Sequence, residues 1–340
     1  MMAMLRIVLC CLLFSALPAA ARVASFAERA EVRDFIKEMH EKHGFPSAAL
    51  RRAFARTKSL PAVIKAISPP ADPSIRSWQT YRARFVEDKR IALGLAFWQK
   101  HRGELAEARA HYGVPEEIIV AIIGVETIYG RNKGHFATLA ALATLAFDYP
   151  QQNSPRAALF RRELEELLLL AREMHRDPLG FTGSYAGALG LPQFLPSSVR
   201  RYAKDGNHDG RIDLASSPAD AIVSVANFLA EHGWEKDGPV TVAAQVEGEG
   251  FTRLIAEGIT PQRTPAEMAD YGVKADAAPE FPAALIDLVS PDQETEYWLG
   301  FRNFYVLTRY NRSSFYAMAV YDLAQALRTA KDGITAARPW

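Results

Sequence analysis

One carboxylic acid interrupts an otherwise apolar run. In AIIGVETIYG, residues 121–130, every side chain but that of Glu126 is apolar, small or hydroxylic. Val114-Pro115-Glu116-Glu117 places a proline and two acids in the first turn of a helix. That helix is predicted to run from about Pro115 to Tyr129 and to stop near Gly130. Glu126 then falls in the last turn. Apolar surroundings disfavour its charged form, and so does the partial negative charge at a helix C-terminus. Both effects raise its pKa. A carboxylic acid that keeps its proton near neutral pH can protonate a departing sugar oxygen, the task of the acid in a glycosidase. Taken alone, the stretch fits equally an exposed glutamate paired with Arg131.

A second stretch adds weight. GSYAGALGLPQFLPSS (183–198) combines glycines with Ser184, Tyr185, Gln193 and Phe194. Glycine-rich backbone lets a polymer come close. A glutamine amide offers a donor and an acceptor to sugar hydroxyl or acetamido groups, and aromatic rings offer flat apolar faces. The alternative is a loop with helix caps.

The elements that must position these residues are mostly helices. Residues 25–66 show helical spacing, with Phe26, Ala30, Phe35, Ile36 and Met39 on one face and Gly44 as a stop. The stretch 68–78 is proline-rich and reads as a linker or wrapping loop. Residues 90–113 read as one long amphipathic helix, 159–176 as another, and 217–234 as a helix opened by serine and proline. After Asp237 the pattern changes to short β-type runs, GPVTVAAQVEGEGF and AALIDLVS. Residues 296–311 are aromatic and read as extended or irregular, and 315–333 close with a helix.

Bulk properties narrow the function. The chain has 340 residues, 40 Lys and Arg against 39 Asp and Glu, and a formal net charge of +1. This lacks the basic excess of a nucleic-acid binder. The N-terminal segment has one positive charge, Arg6, then an apolar run from Ile7 to Leu17 and Ala19-Ala20-Ala21. It reads as a secretory signal peptide, too short to span a bilayer. Both cysteines, Cys10 and Cys11, lie inside it, so the mature chain is expected to have neither disulfides nor a thiol nucleophile. They sit mid-run rather than just behind it, so no lipid anchor is expected. No later run reaches the roughly 18 apolar residues of a membrane helix. A soluble, exported and monomeric protein is the expectation. His40 and His43 have no zinc-site spacing and no third ligand.

The segments IIVAIIGVETIYGR, ALATLAFDYP, GSYAGALGLPQFLPSS, DAIVSVANFLAEHGW and NFYVLTRYN…YAMAVYDL stand in order along the chain. In order and spacing they resemble the lytic murein transglycosylase B family, over nearly the whole mature chain. The resemblance implies a mainly α fold (α+β): a lysozyme-like helical core with a helical N-terminal wrap and a small β-rich insertion. On that basis the chain divides into a signal peptide (1–21), an N-terminal helical region (22–77), a catalytic core (78–237), a β-rich region (238–295), and a cleft-lining segment with a returning C-terminal helix (296–340). It further implies a place in the periplasm and cleavage of the β-1,4 bond between N-acetylmuramic acid and N-acetylglucosamine in peptidoglycan, leaving 1,6-anhydro ends. The family's single catalytic glutamate falls on Glu126, acting as acid and then as base, with no cofactor for catalysis. Carried over by position, the cleft takes in Tyr81, Ser184, Gln193, Phe194, Asn227, Tyr310, Asn311 and Tyr316. Ser184 and Gln193 would hold the substrate's acetamido group or Glu126. Tyr310 and Tyr316 would shape and hydrogen-bond the site. Phe228 stands where family members carry tyrosine, which removes one sugar hydrogen bond. The competing readings are a hydrolytic muramidase and a glycan-binding protein without turnover.

DGNHDGRID (205–213) fits the start of a calcium loop, with Asp205, Asn207 and Asp209 at the first three ligand positions, Gly210 at the turn and the Arg211 carbonyl next. The usual twelfth-position glutamate is replaced by Ser216. The family resemblance implies a longer loop closed by Asp220, and with it a structural calcium ion. The alternative is a metal-free turn capped by its own aspartates.

Overall fold

The computed structural model of the chain describes residues 25–68, 77–151, 154–291 and 293–336. The expected signal peptide (1–21) and most of the proline-rich stretch (69–76) lie outside them.

Helices α1 (Ala30–His43), α2 (Ser47–Ala55) and α3 (Pro61–Ile67) come first. The α1 helix buries Val32, Phe35, Ile36 and Met39, one stripe at helical spacing, and ends where Gly44 turns left-handed. Next come α4 (Trp78–Ala83), α5 (Asp88–Lys100), α6 (Arg102–Tyr112) and α7 (Glu116–Thr127). The single helix expected over 90–113 is in fact two. His101, at φ −112° and ψ 29°, ends α5 and opens α6. Its ring packs on Phe97 and its Nδ1 lies 3.3 Å from Glu104 Oε1. Burial on either side of the break keeps one apolar stripe, so the spacing gives no sign of it.

The α7 helix is apolar all round and is buried from Glu117 to Val125, as expected of a helix enclosed by others. It packs against α5, α6, α11 (Pro218–Glu231) and α15 (Ser314–Ala336). Between them in sequence lie α8 (Thr138–Phe147), α9 (Pro155–Glu173) and α10 (Pro196–Tyr202). Two short strands, β1 (Phe136–Ala137) and β2 (Thr182–Gly183), pair antiparallel with Phe136 opposite Gly183. This pairing ties the start of the glycine-rich loop to the segment that follows α7.

The β-rich part is a four-stranded antiparallel sheet in the order β4-β3-β6-β5, formed by β3 (Thr241–Val246), β4 (Val273–Lys274), β5 (Ala284–Leu288) and β6 (Glu296–Gly300). Helices α12 (Phe251–Ala256) and α13 (Pro265–Ala269) lie within this part. It has its own small core of Leu254, Met268, Val273, Leu285, Leu299 and Phe301. The stretch 296–311, expected to be extended or irregular, divides into β6 and the helix α14 (Arg302–Tyr310). Phe304, Val306 and Leu307 of α14 are buried, and the helix packs on α15. Packing of that stripe overrides the β preference of its aromatic and β-branched residues. The fold is mainly α with a small antiparallel sheet.

Candidate active site

The end of α7 is shaped by three successive left-handed residues: Ile128 (φ 51°), Tyr129 (φ 56°) and Gly130 (φ 84°). The conformation costs a non-glycine residue about 1–2 kcal/mol, so the turn must be held from outside, and it is. The Ile128 N–H donates to the Gly124 carbonyl at 3.1 Å, and the Arg90 guanidinium donates to the same oxygen at 2.9 Å. The Thr127 hydroxyl, fully buried, donates to the Leu191 carbonyl at 2.9 Å and accepts the Gly130 N–H at 3.0 Å. The helix end and the glycine-rich loop are thereby one unit. Tyr129 folds its ring back between α5 and α7, where only Gly94 and Gly124 leave room. A Cβ at either position would lie 2.3 or 2.5 Å from its hydroxyl.

Glu126 sits on this clamped turn, partly exposed at the floor of the site. The Tyr316 hydroxyl, from α15, donates to its Oε1 at 2.6 Å. Desolvation by the surrounding protein pushes the Glu126 carboxyl up to about 7, and the Tyr316 hydrogen bond opposes that rise. No second carboxylate contributes to the shift. Burial and the nearby Glu126 charge hold the Tyr310 and Tyr316 hydroxyls well above the usual phenol range, so both remain donors. The Tyr310 hydroxyl donates to the Pro192 carbonyl at 2.6 Å, and its ring stacks on Tyr316 at 6.2 Å. Tyr81, on α4, also lies within the field of Glu126. Its ring packs against Phe85 and Phe315.

Glu126, Tyr81, Tyr310 and Tyr316 are thus brought together, and Gln193 stands beside them on the loop that Thr127 and Tyr310 grip. The expectation that Ser184 or Gln193 holds Glu126 is replaced by Tyr316. Gln193, left-handed at φ 51°, donates through Nε2 to Gly190 O (2.8 Å) and Lys133 O (3.3 Å). Ser184 Oγ accepts the N–H groups of Ala186 and Ala188 at 3.3 and 3.1 Å, closing its own loop. Phe194 is buried, with its ring on Phe228 and Tyr310 rather than presented to a sugar. Asn227 is buried too, and its amide donates to the Tyr202 carbonyl at 2.9 Å. Of the two, Phe194 touches the site, through Tyr310. Asn311 is exposed just past α14. Sequence reasoning missed Arg90 and Tyr129; a lone arginine in RIALGLAFW carries no sign of the carbonyl it meets.

In the loop after α10, Asp205 accepts the N–H groups of Asp209 and Gly210, and Asp209 accepts that of Arg211. Asp220, 1% exposed, accepts the N–H groups of Gly206 (3.0 Å) and Asp213 (2.7 Å) and so ties the two ends of the loop. The oxygen-only donors Asp205, Asn207 and Asp209, with Gly210 left-handed at φ 83°, suit a hard cation. Among the described residues no three carboxylates, histidines or cysteines converge on one point.

Residues 27–325 match the transglycosylase SLT domain family. The chain is 39% identical over 327 residues to the membrane-bound lytic murein transglycosylase B of Escherichia coli strain K12, covering 90% of this chain and 85% of that one. The crystal structure of the soluble lytic transglycosylase SltB1 of Pseudomonas aeruginosa superposes with a TM-score of 0.81 at 45% identity, over 89% of this chain and 99% of that one. The Escherichia coli lytic transglycosylase Slt35 in complex with calcium superposes with a TM-score of 0.77 at 38% identity, over 90% and 95% of the two chains. With a family match and a near full-length relative in agreement, the chain belongs to the lytic murein transglycosylase B family of SLT-domain lytic transglycosylases.

Proposed function

We propose that this protein cleaves the β-1,4 bond between N-acetylmuramic acid and N-acetylglucosamine in peptidoglycan, with Glu126 as the only acid–base group and a 1,6-anhydromuramic end as product. The observation that carries the reading is a lone carboxyl at about 7 with a tyrosine hydroxyl on one oxygen and no second acid acting on it. Tyr316 occupies Oε1, so the proton rides on Oε2 and passes to the glycosidic oxygen. Once ionised, Glu126 is held by the same Tyr316 hydrogen bond. It then takes the proton of the sugar's own C6 hydroxyl, which closes on C1. Intramolecular attack has a large effective concentration, and it needs no second carboxylate to activate water, unlike the usual pair. The muramic acetamido group steadies the charge at C1. Ser184 and Gln193, on the loop beside Glu126, are assigned to hold that group, and Tyr81 and Asn311 to line the glycan path. The substrate follows from the relative named as a murein transglycosylase.

We further assign a structural calcium ion to Asp205, Asn207, Asp209, the Arg211 carbonyl and Asp220, supported by the calcium complex of the Slt35 relative. It would brace the segment between α10 and α11. No described helix is long and apolar enough to cross a membrane. With the N-terminal signal, this fits work in the periplasm as a monomer.

Product analysis on purified peptidoglycan tests the central reading. Anhydro products, lighter by one water than hydrolytic ones, are expected from the wild type. Glu126→Gln should lower release by roughly 10²–10⁴-fold, the usual share of a general acid. Reducing-end products would establish a muramidase instead, and no release above background from either the wild type or Glu126→Gln would establish a binding protein.

A further inference from the structure

Many arginines of this chain are neutralised. Arg29 pairs with Glu31 and Asp148, Arg82 with Asp322, Arg161 with Glu38, Arg200 with Glu166 and Glu173, and Arg263 with Glu257. The arrangement between α2 and the C-terminal end of α9 is different. There a concavity of about 380 Å³ is walled by Arg52, Arg56, Arg172 and Arg176 over an apolar floor that includes Phe45 and Leu168. None of the four makes an ion pair with a described acid. Arg172 is fixed, its guanidinium 4.5 Å from the Phe45 ring centroid and donating to the His43 carbonyl at 2.8 Å. Arg176 is fixed likewise, 4.4 Å from the Phe181 ring and donating to the Gly180 carbonyl. Arg52 on α2 and Arg56 at its C-cap stand one turn apart, exposed, where like charges repel. The single carboxylate on the rim, Asp177, is engaged in capping the Leu179 N–H at 2.9 Å.

Guanidiniums held in place before binding lose little freedom on meeting an anion, and their planar fork suits phosphate. The apolar floor selects against a small hydrated anion. The half-open hollow, walled by two helices, suits one headgroup rather than a polyanion track. Met174, 37% exposed, shares the neighbouring hollow with Arg176 and adds an apolar contact at the rim. We propose that this concavity binds the phosphate of an anionic phospholipid headgroup, holding the enzyme against a bilayer surface. The helices that build it, α2 and α9, supply none of the groups around Glu126, so the cleft stays free.

The test is vesicle flotation of the chain from Arg22 onward, since the described fold begins at Ser25. Phosphatidylglycerol vesicles should carry the protein up, and phosphatidylcholine vesicles should not. Arg52→Gln/Arg56→Gln should weaken that binding by roughly tenfold or more, with melting temperature and peptidoglycan release unchanged. Arg102→Gln/Arg109→Gln removes the same charge from exposed positions on α6 and should bind as the wild type does. Absence of flotation, or equal losses in both double variants, overturns the proposal. So does full competition by soluble glycerol phosphate, which would make a free phosphate the ligand.

Discussion

Glu126 is pulled in two directions, and its usefulness lies in the balance. Burial keeps the proton on; the Tyr316 hydroxyl favours its release. Tyr316→Phe removes the opposing pull, so the Glu126 pKa should move further up. On the proposed mechanism the reaction starts from the protonated acid, so activity should fall as pH rises through about 7 in the wild type, and in Tyr316→Phe that fall should come at higher pH. The maximal rate should drop roughly 10- to 100-fold, the worth of a hydrogen bond to a charged group. A pH–rate profile of both proteins reads the two effects separately. The acid itself was legible in the sequence, because one carboxyl in an apolar helix stands out. Its partner Tyr316 was reached only through the family resemblance, for it lies 190 residues away and reads locally as one more core aromatic. Phe194 and Asn227, assigned to the cleft by the resemblance, are buried, Phe194 against Phe228 and Tyr310 and Asn227 on the Tyr202 carbonyl.

Helix ends, more than helix interiors, set the geometry. The apolar pattern of α7 predicts the helix, yet Ile128 and Tyr129 in left-handed conformation carry no local signal, because tertiary bonds from Arg90 and Thr127 impose it. Gly124 is one of two tight points against the Tyr129 ring, with Gly94 the other. Gly124→Ala would press on the Tyr129 ring and should cost about 1–3 kcal/mol, the range for overpacked cores, together with activity, because the displaced turn carries Glu126. Tyr129→Phe deletes a buried hydroxyl without a partner among the described residues, and in the double variant it should restore part of the melting temperature. The loop of Asp205–Asp213 belongs to the same scale. Millimolar calcium should raise the wild-type midpoint by several degrees and should have a smaller effect on Asp209→Ala; an unchanged midpoint would leave only the aspartate-capped turn. Sequence spacing suffices for α1, α9 and α11. It fails at the His101 break and at α14, where neighbouring packing rather than pattern decides. The i,i+4 arginines of RRAFAR and AREMHR were visible as residues, but their meeting depends on how α2 lies beside α9.

Across the whole molecule the acid has a cost. The folded chain holds the Glu126 proton more tightly than the unfolded chain does, its carboxyl raised from the usual 4.5 to about 7. That contribution to stability is complete below about 4.5 and is lost as pH rises through about 7. Glu126→Gln removes the titration, so its stability relative to the wild type should rise by about 2 kcal/mol between pH 4 and pH 8, allowing for the partial exposure of the carboxyl. Denaturant melts at the two values measure the difference. The same dependence reaches to α15, which packs on α4, α5, α7 and β5 and brings Tyr316 to the acid. A chain emerging from its N-terminus carries Glu126 long before it carries that helix. Until α15 docks, the glutamate lacks the Tyr316 hydroxyl and the part of its enclosure which that helix supplies. Acid–base competence at this position therefore arises with the last helix, after the rest of the fold has been made.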